Sequence, residues 1–212
     1  MSNKKKLIPA LRFPEFKEDG EWEEKRLGEV FELGSGRDYK HLNPGDIPVY
    51  GSGGYMLSVN KYLYEGESVC IGRKGTIDKP MFLSGKFWTV DTLFYTHSFK
   101  GSSPKFIFYI FQKINWINHN EAGGIPSLSK TVINKIAVTL PNLSEQQKIA
   151  DCLSSLDDLL AAHNEKLELL KGHKKGLMQN LFPQEGERVP KFRFPEFEND
   201  GEWRYLNGNE LF

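Results

Sequence analysis

Six basic residues in the middle of the chain have the residue types and neighbours of a nucleic-acid contact surface. Tyrosine, serine, threonine and glycine lie between them in the sequence. Residues 36–143 hold 12 Lys and Arg against 7 Asp and Glu, a net charge of +5 in a chain whose overall charge is zero. Cations of this kind pair with phosphates, and arginine also bonds guanine edges. A solvated surface would have the same composition, so charge alone leaves both interpretations open. The six are Arg37, Lys40, Arg73, Lys74, Lys79 and Lys130.

No pattern typical of a catalytic site stands out. The stretch GESVCIGRKG lacks both the glycine spacing of a phosphate-binding loop and the Ser or Thr that follows its lysine. Asp19, Glu23 and Lys25 are residue types that hold Mg²⁺ in nucleases. In the repeat of this segment described below, Arg204 and Leu206 stand at the second and third of these positions and could not hold a metal. We therefore expect no enzyme activity, no metal site and no cofactor on this chain.

Short β-type segments separated by glycine turns fill much of residues 27–140. Each is rich in β-branched and apolar residues and is bounded by Gly, Pro or Asp. The apolar stretch PKFIFYIFQKINWIN predicts one buried helix that begins at Pro104. We therefore predict an α+β fold, with a mixed α/β domain over residues 1–143. The predicted strand segments are DIPVYGSGGYM, ESVCIGRKGTID, FWTVDTLFYTH and NKIAVTLP.

Residues 144–182 have the heptad pattern of a long coiled-coil helix. Ser144, with Gln147 three residues later, predicts an N-terminal capping box. Ten seam positions follow at alternating steps of four and three, and eight of them are aliphatic. An isolated helix of this kind would expose an apolar stripe, so we expect a partner helix. The seam positions are Ile149, Leu153, Leu156, Leu160, His163, Leu167, Leu170, Lys174, Leu177 and Leu181.

An eleven-residue sequence motif occurs twice in the chain. RFPEFKEDGEW begins at Arg12 and RFPEFENDGEW begins at Arg193, with nine identical positions at an offset of 181 residues. Residues 183–212 have too little apolar mass to fold alone. We interpret them as the truncated start of a second repeat unit.

Composition favours a folded, cytoplasmic protein. The chain is 39% hydrophobic and 13% aromatic, enough for one core. Its sequence has no apolar run of membrane-spanning length, and its first residues lack the apolar region of a signal peptide. Cys70 and Cys152 lie far apart, and we predict that both are buried thiols.

Several of these segments resemble the specificity (S) subunits of type I restriction-modification systems. GGIPSLSKTVINKIAV, followed by LPNLSEQQKIADCLSSLDDLLAAHNEKLELLKGHKKGLMQNLF, is similar to the conserved region of that family. GDIPVYGSGG, CIGRKGTID and FWTVDTLFY resemble its target recognition domains, and FPEF, GEW and LGEVFEL resemble its usual domain opening. The likeness covers nearly the whole chain. The Pro-x-Leu-x-Glu-Gln helix start and the heptad helix are its most specific parts.

The resemblance implies a DNA-reading subunit whose chemistry resides in other subunits. Members of the family usually carry two recognition domains, each followed by a long helix, and the two helices pair antiparallel as a spacer. They bind double-stranded DNA, methyltransferase (M) subunits and restriction (R) subunits. S-adenosylmethionine, ATP and Mg²⁺ are therefore expected only on those partners. With one recognition domain and one helix, this chain resembles half of such a subunit.

Three glycine-containing loops are the predicted DNA-binding elements. They are GSGRDYKHLN, GSGGYM and GRKGT, which offer cations for bases and phosphates and places where a backbone can approach the duplex closely. Alternatively, the glycines form hairpin turns and the basic residues are solvated. We predict Lys130 as a phosphate anchor. The predicted contact residues are Arg37, Tyr39, Lys40, Ser52, Gly53, Gly54, Arg73, Lys74, Lys79 and Lys130.

A single heptad helix predicts a homodimer, because a two-fold axis lets the same apolar stripe cover itself. Two identical recognition domains would then read two inverted half-sites separated by an unread spacer. If the antiparallel pair centres near Glu165, Lys174 lies beside the Leu156 layer of the second copy. A truncated or silent cassette that only competes for M subunits is an alternative. A stand-alone nuclease is a third hypothesis, which needs a metal site that the sequence does not offer.

Overall fold

The glycine-bounded apolar segments form short strands, and the two periodic segments form helices. The computed structural model describes residues 7–204 and residue 206, and this part of the chain has ten strands and four α-helices. This arrangement confirms the predicted α+β class. The strands are β1 (Glu23–Arg26), β2 (Glu32–Ser35), β3 (Pro44–Gly51), β4 (Gly54–Val59), β5 (Tyr64–Glu65), β6 (Ser68–Gly72), β7 (Met81–Leu83), β8 (Lys86–Thr89), β9 (Leu93–His97) and β10 (Ala137–Leu140). The helices are α1 (Leu27–Val30), α2 (Pro104–Lys113), α3 (Lys130–Lys135) and α4 (Leu143–Leu181).

The strands form three small sheets. One four-stranded sheet has the order β2-β9-β6-β7, a second has the order β4-β3-β8-β5, and β1 pairs with β10. Neighbouring strands are antiparallel except β3 and β8, which run parallel. β8 and β9 follow each other in the chain but belong to different sheets. The short turn between them therefore connects the two four-stranded sheets.

Helix α2 supplies much of the main core. Pro104 occupies its first turn, as predicted, and Phe106, Ile107 and Phe111 are buried. The ring of Phe111 lies 5.7 Å from that of Phe31 and 4.9 Å from that of Trp116. The indole N–H of Trp116 donates to the Phe111 carbonyl at 2.8 Å, which satisfies the one polar atom of this buried ring.

Helix α4 begins one residue before the predicted start, and its cap differs from the prediction. The side-chain oxygen of Asn142 accepts a hydrogen bond from the Glu145 N–H at 2.9 Å. The side chain of Gln147 donates to Asp151, one turn further along, at 2.9 Å. The predicted capping box at Ser144 is therefore wrong, because the asparagine before the helix supplies the cap.

The segment of residues 7–22, here called the N-terminal arm, is held to the start of α4 by a buried ion pair. The guanidinium of Arg12 donates through Nε and Nη2 to the Glu145 carboxylate, at 2.8 and 2.6 Å. The two side chains are only 7% and 1% exposed. The hydrogen bond to Glu145 raises the pKa of Arg12, so the guanidinium stays charged. Asp19, at the surface, accepts a hydrogen bond from the Asn142 amide at 2.7 Å.

The chain divides into two compact units, Met1–Leu153 and Ser154–Phe212. In the first, Ile149 packs against the main core. In the second, the seam residues Leu156, Leu160, Leu167 and Leu170 are 49–61% exposed. No helix in the described part of the chain is long and apolar enough to cross a membrane.

The two cysteines lie in opposite environments. Cys70 on β6 is fully buried, as predicted, and burial raises the pKa of its thiol to about 12. Cys152 is exposed on α4, so the prediction that it is buried is wrong. It lies between the seam positions Ile149 and Leu153, where sequence periodicity alone could not show that this face of the helix is uncovered.

Candidate nucleic-acid interface

The β8–β9 turn, residues 90–92, holds the predicted loops together. The N–H of Arg37 donates to the Thr89 carbonyl at 2.8 Å, just before this turn. The N–H of Arg73 donates to the Thr92 carbonyl, also at 2.8 Å. On the other side, the Val90 N–H donates to the Tyr50 carbonyl at 2.9 Å, at the end of the strand that leads into the GSGGYM loop. Backbone hydrogen bonds thus bring all three loops to one turn.

In the first loop, residues 36–40, a glycine permits this close approach. A Cβ atom on Gly36 would lie 1.9 Å from the Val90 carbonyl oxygen, so no other residue fits without moving the backbone. The Arg37 carbonyl accepts the indole N–H of Trp88 at 2.9 Å. Arg37 and Lys40 are exposed, and Tyr39 is half-buried against the small core of Val49 and Trp88. The backbone of Arg37 is therefore fixed on both sides, and Arg37 and Lys40 keep their charges in solvent.

The second loop, Ser52-Gly53-Gly54, is the hairpin turn between β3 and β4. Gly54 has φ +114°, a conformation that favours glycine. These glycines therefore form a hairpin turn, as the alternative interpretation of the loop proposed. The tight turn lies at the surface. Two large side chains follow it: Tyr55 is 62% exposed and Met56 is 48% exposed.

The third loop, residues 73–75, lies beside the second loop and is bonded to the β8–β9 turn. A Cβ on Gly75 would lie 3.3 Å from the Ser52 hydroxyl oxygen, which places the second and third loops side by side. The guanidinium of Arg73 donates to the Asp91 carbonyl at 3.2 Å. Arg73 is nevertheless exposed, as is Lys74. One arginine therefore links its own loop to the β8–β9 turn and keeps donors free for a ligand.

Two open cavities lie on this face of the first unit. The first, of about 820 Å³, is lined by Arg73, Lys74 and Lys130. The second, of about 650 Å³, is lined by the other two loops and by residues 90–92, including Tyr39 and Lys40. The bond from Arg73 to the Asp91 carbonyl joins the two cavities. Lys79 is exposed but lines neither of them.

Lys130, the predicted phosphate anchor, also has a role inside the fold. Its ammonium donates to the Leu33 carbonyl at 2.6 Å and lies 5.8 Å from the centre of the Phe94 ring. An ammonium has three donors, so two remain for the cavity that Lys130 lines. The structure thus ties Lys130 to β2 and leaves its contact with phosphate a prediction.

Residues 120–127 also belong to this face; the resemblance placed residues 123–130 near the DNA, but none of residues 120–127 was predicted as a contact residue. The Asn120 side chain accepts from the N–H groups of Ala122 and Ser127, at 3.1 and 2.8 Å, and so orders the loop. The Gly75 N–H donates to the Pro126 carbonyl at 2.9 Å, which attaches this loop to the third one. Glu121 is exposed in the first cavity, an acceptor among three cations. The Gly123-Gly124 pair signals a turn, but only the tertiary structure shows that the third loop is its neighbour.

Known proteins resemble this chain in sequence and fold. The "Type I restriction enzyme MjaVIII specificity subunit" of Methanocaldococcus jannaschii is 31% identical over 125 residues, which are 57% of this chain and 27% of that protein. The "Type I restriction enzyme EcoDI specificity subunit" of Escherichia coli is 24% identical over 198 residues, 91% of this chain and 42% of that protein. The chain spans less than half the length of the curated relatives it matches.

A solved structure supports the same grouping at the level of the fold. The S subunit of a type I restriction-modification system from M. genitalium aligns with a TM-score of 0.61 at 15% identity, covering 95% of this chain and 65% of that one. Residues 19–171 match the family described as "Type I restriction modification DNA specificity domain". That match covers most of the sequence and confirms the predicted resemblance, so this chain belongs to the family of type I restriction-modification DNA specificity domains.

Proposed function

We propose that this chain is the sequence-reading component of a type I restriction-modification complex and contacts double-stranded DNA through the face built around the β8–β9 turn. The observation that carries the proposal is the convergence of three separate loops, with Arg37, Lys40, Arg73 and Lys74 exposed, on one turn. Backbone-anchored cations give phosphate contacts a fixed register, and neighbouring loops can then address base edges.

In this proposal, methylation and cleavage belong to partner subunits. The curated relatives are named specificity subunits of restriction enzymes, and a second structural neighbour comes from work titled "Structural basis underlying complex assembly andconformational transition of the type I R-M system", with a TM-score of 0.57 at 15% identity. We infer that this chain binds M and R subunits in the cytoplasm. S-adenosylmethionine, ATP and Mg²⁺ would then act on those subunits and not on this chain.

We also infer that two copies pair through α4. Its 39 residues give a rod of about 58 Å, and its seam leucines in the second unit are about half exposed. Antiparallel pairing around a two-fold axis would cover both stripes with one interface. Two recognition domains would then read inverted identical half-sites, with a spacer on the order of one to two DNA turns of about 34 Å.

A gel-shift titration with purified M subunit tests the proposal. The complex should bind a specific duplex, and Lys74→Ala should weaken binding to all sequences and reduce the slope of affinity against salt by about 1. Lys79→Ala removes the same charge outside both cavities and serves as the control. Equal losses in the two variants would contradict the proposed face. Absence of specific binding would favour the silent cassette, and DNA cleavage by the purified chain in Mg²⁺ would favour the nuclease.

A further inference from the structure

The second copy of the repeated motif, which begins at Arg193, folds like the first copy at Arg12. The N-terminal arm closes through a bond from the Trp22 N–H to the Leu7 carbonyl at 2.8 Å, and residues 188–203, here called the C-terminal arm, close through a bond from Trp203 to Arg188 at the same length. Both arms contain a 3₁₀ turn over Pro-Glu-Phe. The guanidinium of Arg12 donates through Nη1 to the Gly20 carbonyl, and that of Arg193 donates through Nη2 to the Gly201 carbonyl. The repeated sequence therefore builds a similar small module twice.

The N-terminal arm shows what this module binds. It lies against the start of α4, where its side chains meet a face formed by Asn142, Glu145 and Lys148. Arg12 forms the ion pair with Glu145, and Asp19 accepts a hydrogen bond from Asn142. Glu15 forms an ion pair with Lys148 at 3.1 Å. The Lys148 ammonium also lies 5.6 Å from the centre of the Phe13 ring. The module is thus a ligand for an asparagine-capped helix start with Glu and Lys at successive turns.

The C-terminal arm keeps every one of those side chains. Arg193, Phe194, Glu196 and Asp200 stand at the four equivalent positions. In the described part of the chain, the buried Nε of Arg193 has no hydrogen-bond partner, whereas the Nε of Arg12 donates to Glu145. Phe194 is 58% exposed. Arg193, Phe194 and Asp200 line a cavity of about 570 Å³. The arm is therefore formed, yet it lacks the carboxylate that its counterpart binds.

We propose that the C-terminal arm is a docking module for the start of α4 of a second copy of this chain. Arg193 takes the place of Arg12 on Glu145, and Asp200 takes the place of Asp19 on Asn142. Charge complementarity selects this partner, because the helix start presents the same carboxylate and amide that the first arm already holds. The two arms are alternative ligands for one site, so docking in trans is an exchange of equivalent elements between copies.

This inference rests on the antiparallel pairing proposed above. Such pairing brings the end of one α4 beside the start of the other, which gives the C-terminal arm a high effective concentration at that site. The N-terminal arm keeps an advantage, because residues 23–26 continue from it into the pairing of β1 with β10. Arg204 and Leu206 stand where that strand has Glu23 and Lys25. Docking of the C-terminal arm on a second copy is therefore a minor state in the unmodified protein. It becomes the main state when the N-terminal arm binds the start of α4 less tightly.

Thermal unfolding of four variants tests the exchange. Arg193→Ala alone should leave the melting temperature within about 1 °C of the unmodified chain, because the first arm holds the site. Arg12→Ala should lower it by only a few degrees at concentrations where the chain is dimeric, since Arg193 of the second copy replaces the lost guanidinium. The double variant Arg12→Ala, Arg193→Ala should lower the melting temperature by at least twice as much as Arg12→Ala alone. Lys191→Ala, combined with Arg12→Ala, is the matched control and should add nothing.

Cysteine trapping supplies a second readout that does not depend on how stable Arg12→Ala is. Asn142→Cys and Asp200→Cys, placed in an Arg12→Ala, Cys152→Ser background, should form a disulfide between chains on mild oxidation, seen as a covalent dimer in denaturing gels. If sedimentation shows a dimer but the cysteines never join two chains, and the single and double arginine variants melt alike, the exchange is wrong while the helix pairing stands. If sedimentation shows only monomers, the proposed pairing through α4 is wrong, and the exchange that depends on it is wrong as well.

Discussion

At the scale of single residues, the proposed DNA-binding face depends on glycines that allow backbones to touch. A Cβ on Gly36 would overlap the Val90 carbonyl oxygen, and one on Gly72 would lie 1.9 Å from the Thr76 carbonyl oxygen. Sequence reasoning predicted the loops from their glycines and cations. It could not predict the role of Asp91, because this residue contributes a backbone carbonyl, which accepts a hydrogen bond from the Arg73 guanidinium.

Gly36→Ala should separate the first loop from the β8–β9 turn. We expect a loss of about 1–3 kcal/mol in the free energy of unfolding, typical of overpacking, together with weaker DNA binding by the M complex. Urea denaturation of the purified chain measures the first effect. Gly53→Ala is the control, because its Cβ would meet nothing within 4 Å, and it should be nearly neutral in stability. Equal destabilisation of the two variants would contradict the account.

Thiol labelling should separate the two cysteines. Cys152 is exposed and should react with a disulfide reagent at pH 8 in the native protein, whereas Cys70 should react only after unfolding. Burial raises the pKa of Cys70 from 9.0 to about 12, so the folded state holds the thiol proton more tightly than the unfolded state does. This contribution to stability is full below pH 9 and falls as the pH rises toward 12. Rapid labelling of both thiols in the folded protein would contradict the buried position of Cys70.

At the scale of elements, periodicity predicted most of the secondary structure. The β-type segments became strands, Pro104 opens α2, and the heptad segment became α4 within one residue of the predicted start. The cap was wrong because both Asn142 and Ser144 are good capping residues, and the choice depends on Asp19, which is far away in sequence. No sequence pattern showed that β3 and β8 run parallel, since that pairing joins strands distant in the chain.

Adjacent leucines on α4 provide a direct test of the seam. Leu159 and Leu160 are 53% and 61% exposed, but only Leu160 lies on the heptad seam. Leu160→Asp should abolish pairing, because it places a carboxylate in the apolar interface, while Leu159→Asp should leave it intact. Sedimentation velocity over a range of concentrations measures both. If Leu159→Asp is the more disruptive variant, pairing uses another face of the helix.

Lys174→Leu should stabilise the dimer. The predicted register places this lysine in the seam beside the Leu156 layer, where a polar residue fixes register at a cost in stability. Replacing it with leucine should raise the melting temperature of the dimer, measured by scanning calorimetry at a fixed protein concentration. A fall in the melting temperature would mean that the lysine makes a net stabilising contact and that the predicted register is wrong.

At the scale of the whole molecule, the chain combines one domain of the DNA specificity family, one long helix and a second copy of the arm. Its relatives are about two or more times as long, and in the proposed assembly two copies of this chain supply the two recognition domains. The bases to be read could not be predicted, because they depend on side-chain positions in loops whose neighbours, such as residues 120–127, come from distant parts of the sequence. The two-fold symmetry of the site stays a prediction, which follows from the proposed pairing of identical chains.

The central claim is that two copies of this chain, joined through α4, direct DNA modification. A genome-wide map of methylated adenines, made with this chain as the sole specificity component beside the M subunit, tests it most directly. We expect one motif made of two identical inverted half-sites around a fixed spacer, and we expect Leu160→Asp to abolish it while Leu159→Asp preserves it. An asymmetric bipartite motif, or an unchanged motif in the Leu160→Asp variant, would contradict the claim.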